Sequence, residues 1–202
     1  MSTSNITGII LAGGASSRMG RNKALLTWDG RPLVERVASI LAALTDDILI
    51  VSNDAASYQF LQLPIIPDVQ PGYGPLMGLY SGLRAAQGEL AVVTAVDMPF
   101  LSARLLSHLI SLAPGYDVVI PHAHDRLHPL CAVYRGHTCL PAIEKAIERG
   151  QRRLISFHPQ MRVRQVDEEE LRQISPDLRA LMNVNTPEEL AAARAIKVTL
   201  EE

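Results

Sequence analysis

The chain has 202 residues, 48% of them hydrophobic and 20% charged, with a formal net charge of −2. That composition suits a soluble globular protein with one substantial core, and the near-neutral balance argues against a dedicated nucleic-acid or anionic-membrane surface. Apolar runs stop well short of the roughly 18 residues a membrane span needs, "MSTSNITG" lacks a secretory pattern, and Cys131 and Cys139 lack disulfide-framework or zinc-site spacing, so the expected compartment is the cytoplasm.

"ITGIIL" (6–11) is a short β-branched apolar run, the pattern of a strand covered on both faces. It leads into "LAGGASSRMGRNK" (11–23), which holds three glycines, two serines and three cations within thirteen residues. Leu33, Val37, Ile40, Leu41 and Leu44 recur at helical spacing and predict a helix over 32–44, with Pro32 suited to its first turn. Strands are expected at "DILIVS" (47–52) and "LPIIPD" (63–68). A turn-rich "VQPGYGPLMG" then introduces a helix in "LYSGLRAAQG". "LAVVTAVDMPF" (90–100) is the most strand-like run and ends abruptly at Asp97 and Pro99. Ser102 reads as the N-cap of a helix over 102–113. Strands at 116–121 and 129–135 follow, then a helix through "LPAIEKAIERG" that stops at Gly150. Near the end, Thr186 is a natural cap and Pro187 a first-turn residue; "AIKVTLEE" reads as a frayed helix end or disorder, with no role.

Strands and helices alternate from residue 6 to about 115, as in βαβ units. The expected fold class is α/β: a three-layer, Rossmann-like domain with a mostly parallel twisted sheet, covering 1–202 as one unit. Such sheets bind ligands beyond the carboxyl ends of their strands, where both the glycine loop and Asp97 fall. The loop is neither a P-loop, since Lys23 is followed by Ala24, nor a Gly-x-Gly-x-x-Gly fingerprint, since its glycines are at 13, 14 and 20. What remains is a strand, a glycine pair and then Arg18, Arg21 and Lys23. Exposed N–H groups beside cations suit phosphate oxygens, and a plain solvated turn is the alternative.

The order "LAGG…SRMG…K" followed by "ALLTWDGRPLVERV" resembles the entry segment of nucleotidyltransferases that join a nucleoside monophosphate to a phosphorylated acceptor. Further blocks are similar to the molybdenum cofactor guanylyltransferases: "IPDVQPGYGPLMGLYSGL", "VDMPF", "HPLCAVYR" and "MNVNTPEEL", in family order from residue 6 to about 195. The resemblance implies the nucleotidyltransferase fold, with a nucleotide-binding half over about 6–100 and an acceptor-binding half over about 101–195. It implies transfer of GMP from Mg-GTP to the terminal phosphate of molybdopterin, giving the guanine dinucleotide cofactor and pyrophosphate. Delivery of the product to a molybdoenzyme or its chaperone follows from the same likeness.

Carried over by position, the resemblance assigns Leu11, Ala12, Gly13 and Gly14 to the nucleotide. Arg18 and Lys23 would neutralise the triphosphate and the leaving pyrophosphate, as cations do where charge develops. Asp97 would hold magnesium, a hard cation that takes few protein carboxylates; a helix cap or turn start is its plainer role. Asp68 would contact the nucleoside, with Gly74, Pro75 and Gly78 shaping the base pocket, or else begin an Asx-turn. Family members read Asn-x-Asn where this chain has Val51-Ser52-Asn53, so that contact passes to Asn53, to Ser52 or to neither. His122, His124 and His128 sit in a turn-like connection and are read as metal ligands, as plain loop residues or as acceptor contacts; the last suits His128 and Pro129 best. Arg152 and Arg153 would grip the acceptor's phosphate or simply solvate a helix end. Asn183 and Asn185 fall at the active-site turn of the family, beyond what capping alone requires.

Three other readings stand beside this one. A cytidylyltransferase on the same acceptor would tend to carry Ala-Ala-Gly in place of Ala12-Gly13-Gly14. A sugar-1-phosphate nucleotidyltransferase would have a longer chain. A nucleotide-binding regulatory module without turnover would have no need for both Lys23 and Asp97.

Overall fold

Apolar residues alternate along the first strand, β1 (Ile6–Leu11), and divide between two cores, Ile10 facing one and Ile9 and Leu11 the other. A strand buried on both faces must sit mid-sheet, and β1 does. The structure, a computed structural model, describes residues 5–12 and 23–201. After β1 a two-residue hairpin, β2 (Thr27–Trp28) with β3 (Arg31–Pro32), turns at Asp29-Gly30, both at positive φ. That is the backbone a tight type I′ connection needs.

Helix α1 (Leu33–Ala42) follows, then β4 (Ile48–Val51), β5 (Ile65–Ile66) and α2 (Pro75–Ala85). The most apolar run forms β6 (Leu90–Ala95), and α3 (Ala103–Ser111) is capped by Ser102, whose Oγ accepts from the Leu105 N–H at 3.3 Å. Next come β7 (Val118–Ala123), β8 (Arg126–Leu127), β9 (Cys131–Arg135) and α4 (Gly136–Glu148). The chain closes with β10 (Val163–Val166), α5 (Glu168–Arg172) and α6 (Pro187–Glu201).

The strands form one sheet in the order β10-β7-β9-β6-β1-β4-β5, with β8 paired to β7. All run parallel except β9, antiparallel to β6 and β7, and the short β8. One core packs Val34, Val37 and Leu41 of α1 and Leu105, Leu106 and Leu109 of α3 on one face. The other packs Leu76, Leu79 and Leu83 of α2 and Cys139, Ala142, Ile143 and Ala146 of α4. The result is three layers, α/β/α. Cys131 and Cys139 are free and buried, and burial pushes both thiols up to about 12.

Several boundaries differ from the sequence expectation. Helix α2 begins at Pro75, inside the stretch read as turn, because Gly74 (φ 117°) makes the break and Pro75 then serves as a first-turn residue. Helix α4 begins at Gly136 and carries Pro141 internally, in its second turn. Strand β6 ends at Ala95, two residues before Asp97. The segment carrying His122 is strand, not turn: only His124 and Asp125, both at positive φ, make the two-residue link between β7 and β8. The last helix runs through Glu201. Among the described residues no helix is long and apolar enough to cross a membrane.

Candidate active site

The chain moves outward from β1 to β4 and β5, then returns through α2 to β6 on the other side of β1. Connections diverge at that point and open a crevice at the carboxyl edge, the usual ligand position in a sheet of this type. Leu11 and Ala12 end β1 there, Asn53 follows β4, Asp68 follows β5 and Asp97 follows β6. Because β9 runs the other way, His128 and Pro129 precede it and reach the same edge. Gly13, Gly14 and Arg18, and the side chain of Lys23, lie outside the described residues; Lys23 backbone opens a 3-10 turn, Lys23–Leu25.

On the β4–β5 side, Asn53 and Asp68 are tied twice. Asn53 Nδ2 donates to Asp68 Oδ2 at 2.8 Å, and the Asp68 N–H donates to Asn53 Oδ1 at 2.9 Å. Ser52 is buried, and its hydroxyl accepts from the Asp54 N–H at 3.1 Å. Of the two residues left open by the missing first asparagine, Asn53 is therefore the one joined to Asp68. Gly78 faces them: a Cβ there would stand 3.6 Å from Asp68 Oδ1 and 3.8 Å from Leu11 Cδ2. Leu11, Asp68 and Gly78 thus share one wall. Ala12 is held from both directions, its N–H donating to Val51 O at 3.0 Å and its carbonyl accepting from the Tyr58 hydroxyl at 3.2 Å.

On the β6 side, the segment before α6 folds across the strand end. The Val184 N–H donates to Asp97 O at 2.9 Å, and Asn183 Nδ2 donates to Asp97 Oδ1 at 2.8 Å. Asp97 is half-buried, and its Oδ2 accepts no hydrogen bond among the described residues. With one carboxylate oxygen oriented and the other without a partner among the described residues, Asp97 fits a hard divalent cation that keeps most of its waters. No three His, Cys, Asp or Glu side chains gather as a metal cage among the described residues. Asn185 lies on the exposed side of the same turn, where its N–H donates to the Glu189 carboxylate; Thr186 Oγ1 accepts from the Glu189 N–H at 3.1 Å and caps α6.

Beyond Asp97 lie two adjoining cavities. The smaller, about 150 Å³, is lined by Met98, His128, Pro129, Cys131 and Asn183 among others. The larger, about 500 Å³, is lined by His122, Asp125, Pro129, Arg153 and Ile155, and Arg126, Leu127 and Leu154 border both. His128 is buried, its Nε2 lies 3.3 Å from Ala123 O, and burial lowers its pKa, so it is neutral at pH 7. Tyr134 fixes Pro129 by donating to its carbonyl at 2.8 Å.

Sequence neighbours Arg152 and Arg153 part company. Arg152 stacks over the Tyr73 ring, 5.1 Å from its centroid, while Arg153 faces the larger cavity. Tyr73 is itself anchored to Ile147 O and Gln151 O at 2.9 Å each. Met98 and Arg126 line the cavities without having been singled out from the sequence. The histidines of "HAHDRLHPL" draw attention there, and only the β7–β8 hairpin reveals what the arginine between them borders.

Residues 8–165 match the MobA-like NTP transferase domain. A probable molybdenum cofactor guanylyltransferase of Pelotomaculum thermopropionicum is 38% identical over 190 residues, covering 94% of this chain and 92% of the relative. The molybdenum cofactor guanylyltransferase of Desulfosudis oleivorans is 38% identical over 192 residues, covering 94% and 95%. Among solved structures, molybdopterin-guanine dinucleotide biosynthesis protein A of Archaeoglobus fulgidus superposes with a TM-score of 0.81 at 29% identity, covering 96% of this chain and 99% of that one. With matches of that identity and extent, and the sheet-edge constellation in place, the chain belongs to the MobA-like nucleotidyltransferases, the family of the molybdenum cofactor guanylyltransferases.

Proposed function

We propose that this protein transfers GMP from GTP to the phosphate of molybdopterin, releasing pyrophosphate. The reading is carried by Asp97, set at the carboxyl end of β6 with one oxygen held by Asn183 and the other accepting no hydrogen bond among the described residues, across the β1 crevice from the Asn53–Asp68 pair. A phosphate oxygen of the acceptor attacks the α-phosphorus of GTP in line; the new P–O bond forms as the bond to the β-phosphate breaks, and pyrophosphate departs. Positioning and charge offset dominate such a transfer.

In this reading the whole chain is one nucleotidyltransferase domain. Leu11, Ala12, Gly13 and Gly14 bind the nucleotide; Arg18 and Lys23 offset triphosphate and pyrophosphate charge. Asn53, Asp68 and Gly78 form the wall that selects the base and ribose. His128, Pro129 and Arg153 border the acceptor, with Asn183 and Asn185 on the turn above it, and Arg152 packs the nucleotide-side loop through Tyr73. Nucleotidyltransferases generally use a divalent metal. Magnesium is the ion proposed here, and Asp97 is the residue that would hold it. When bound, it would act as a Lewis acid on the triphosphate. Product delivery to a molybdoenzyme or its chaperone completes the proposal.

Pyrophosphate release tests it. GTP with molybdopterin should turn over with at least roughly a hundredfold preference in kcat/KM over CTP or ATP, because a wrong base edge leaves buried polar groups unpaired. Comparable rates with CTP would overturn the guanine assignment, and release with a sugar phosphate alone would overturn the acceptor.

A further inference from the structure

Most arginines among the described residues have evident partners. Arg31, Arg135, Arg162, Arg164, Arg172 and Arg179 pair with carboxylates. Arg36, Arg104 and Arg194 donate to backbone carbonyls, and Arg84 and Arg152 lie over tyrosine rings. Arg126 and Arg153 make no ion pair among the described residues, yet both line the 500 Å³ cavity. Asp125, the carboxylate on the same wall, is bonded to neither. Asp125 offsets part of that charge, and two guanidiniums against one carboxylate leave the wall net positive. Guanidiniums left unpaired on a concave wall create a positive potential that an anion with several oxygens relieves, and a cavity of this size suits a small ligand.

Arg126 also borders the smaller cavity, where Asn183 holds Asp97. Its place is set by the hairpin: His124 and Asp125 close a two-residue turn, which puts Arg126 opposite Ala123. The turn is pinned in turn by Glu168, whose carboxylate accepts from the His124 N–H at 2.6 Å. An acceptor that reaches from the larger cavity toward Asn183 and Asp97 lies beside Arg126, which borders both cavities. We infer that Arg126 is a binding residue for the acceptor's phosphate, acting with Arg153; this rests on the guanylyltransferase reading. The guanidinium holds two phosphate oxygens and lowers the repulsion between that phosphate and the triphosphate it attacks.

The test compares wild type, Arg126→Gln and Arg126→Lys in molybdopterin titrations, with and without saturating Mg-GTP. Arg126→Gln should raise the KM and Kd for molybdopterin roughly tenfold to a hundredfold, the range expected for a lost charge-assisted bond. The KM for GTP should stay within about twofold and the melting midpoint unchanged, since the side chain is exposed and makes no ion pair. Arg126→Lys should recover part of the affinity, because it keeps the charge and loses the fork. Normal wild-type turnover with unaltered molybdopterin affinity in Arg126→Gln would overturn this assignment alone. A wild-type protein that binds GTP but neither binds molybdopterin nor releases pyrophosphate would overturn the underlying reading and the assignment with it.

Discussion

Asp97 concentrates what a single side chain can do in this fold. Its Oδ1 is fixed by Asn183 at 2.8 Å, and an asparagine in its place could still accept that bond. Asp97→Asn should therefore fold normally, yet lose turnover by roughly a hundredfold or more, the scale of one main electrostatic element. Nucleotide binding without magnesium should be unchanged or tighter, because a negative charge near the phosphates is gone; near-normal magnesium-dependent turnover would make Asp97 a turn residue only. His158 behaves differently. Both its ring nitrogens are buried without a hydrogen-bond partner among the described residues, beside the Phe157 ring at 4.9 Å between centroids, and burial pushes its pKa down to about 4. The unfolded chain binds this proton below about 6.5 while the folded chain refuses it until about 4, so His158 costs stability progressively as pH falls through that window. His158→Leu should raise stability at pH 7 by about 1–2 kcal/mol and flatten the loss between pH 6.5 and 4. Thermal melts at both pH values check it, and an unchanged pH slope would assign the acid sensitivity elsewhere.

Helix α2 carries two glycines one turn apart with opposite duties. At Gly82 a Cβ would meet Ile9 Cγ2 at 2.8 Å and Val51 Cγ2 at 3.0 Å, both on buried, β-branched strand residues. The helix lies on β1 and β4 only because that side chain is absent, so Gly82→Ala should cost about 1–3 kcal/mol by overpacking. Among the described residues a Cβ at Gly78 would stand 3.6 Å or more from every neighbour, Asp68 Oδ1 nearest. Gly78→Ala should keep or slightly raise the melting midpoint, since alanine favours helix, while narrowing the wall beside Asp68. The KM for GTP should then rise roughly tenfold. Steady-state kinetics and melts on the two variants separate the roles; equal destabilisation by both would refute the distinction.

For the molecule as a whole, stability depends on how its far edge is fastened. Strand β10 joins the sheet through β7, and Asp117, just before β7, takes two bonds from the Arg162 guanidinium at 3.0 and 3.1 Å and one from its N–H at 2.9 Å. These bonds hold the Asp117 carboxyl down to about 2. Its pKa is lower folded than unfolded, so the stabilisation is fully present above about pH 4 and is lost as pH falls towards 2. Arg162→Ala leaves a buried carboxylate without its main partner and should lower stability at pH 7, moving acid unfolding to higher pH. Circular dichroism against pH checks the direction. Much of this architecture was legible in the residues themselves: β-branched runs at 6–11 and 90–95 specify strands buried on both faces, and Ser102 and Thr186 declare their helix starts through local hydrogen bonds. The short edge strands β8 and β10 were not, because their polar residues carry no period and pair only when β7 supplies a register. At the site, chemistry-bearing residue types and the strand ends that carry them follow from order along the chain. The joining of Asn183 to Asp97 across 86 positions, of Asn53 to Asp68, and the parting of Arg152 from Arg153 do not. Those pairings depend on strand order and on where loops cross the sheet edge, and nothing short of the folded sheet determines either.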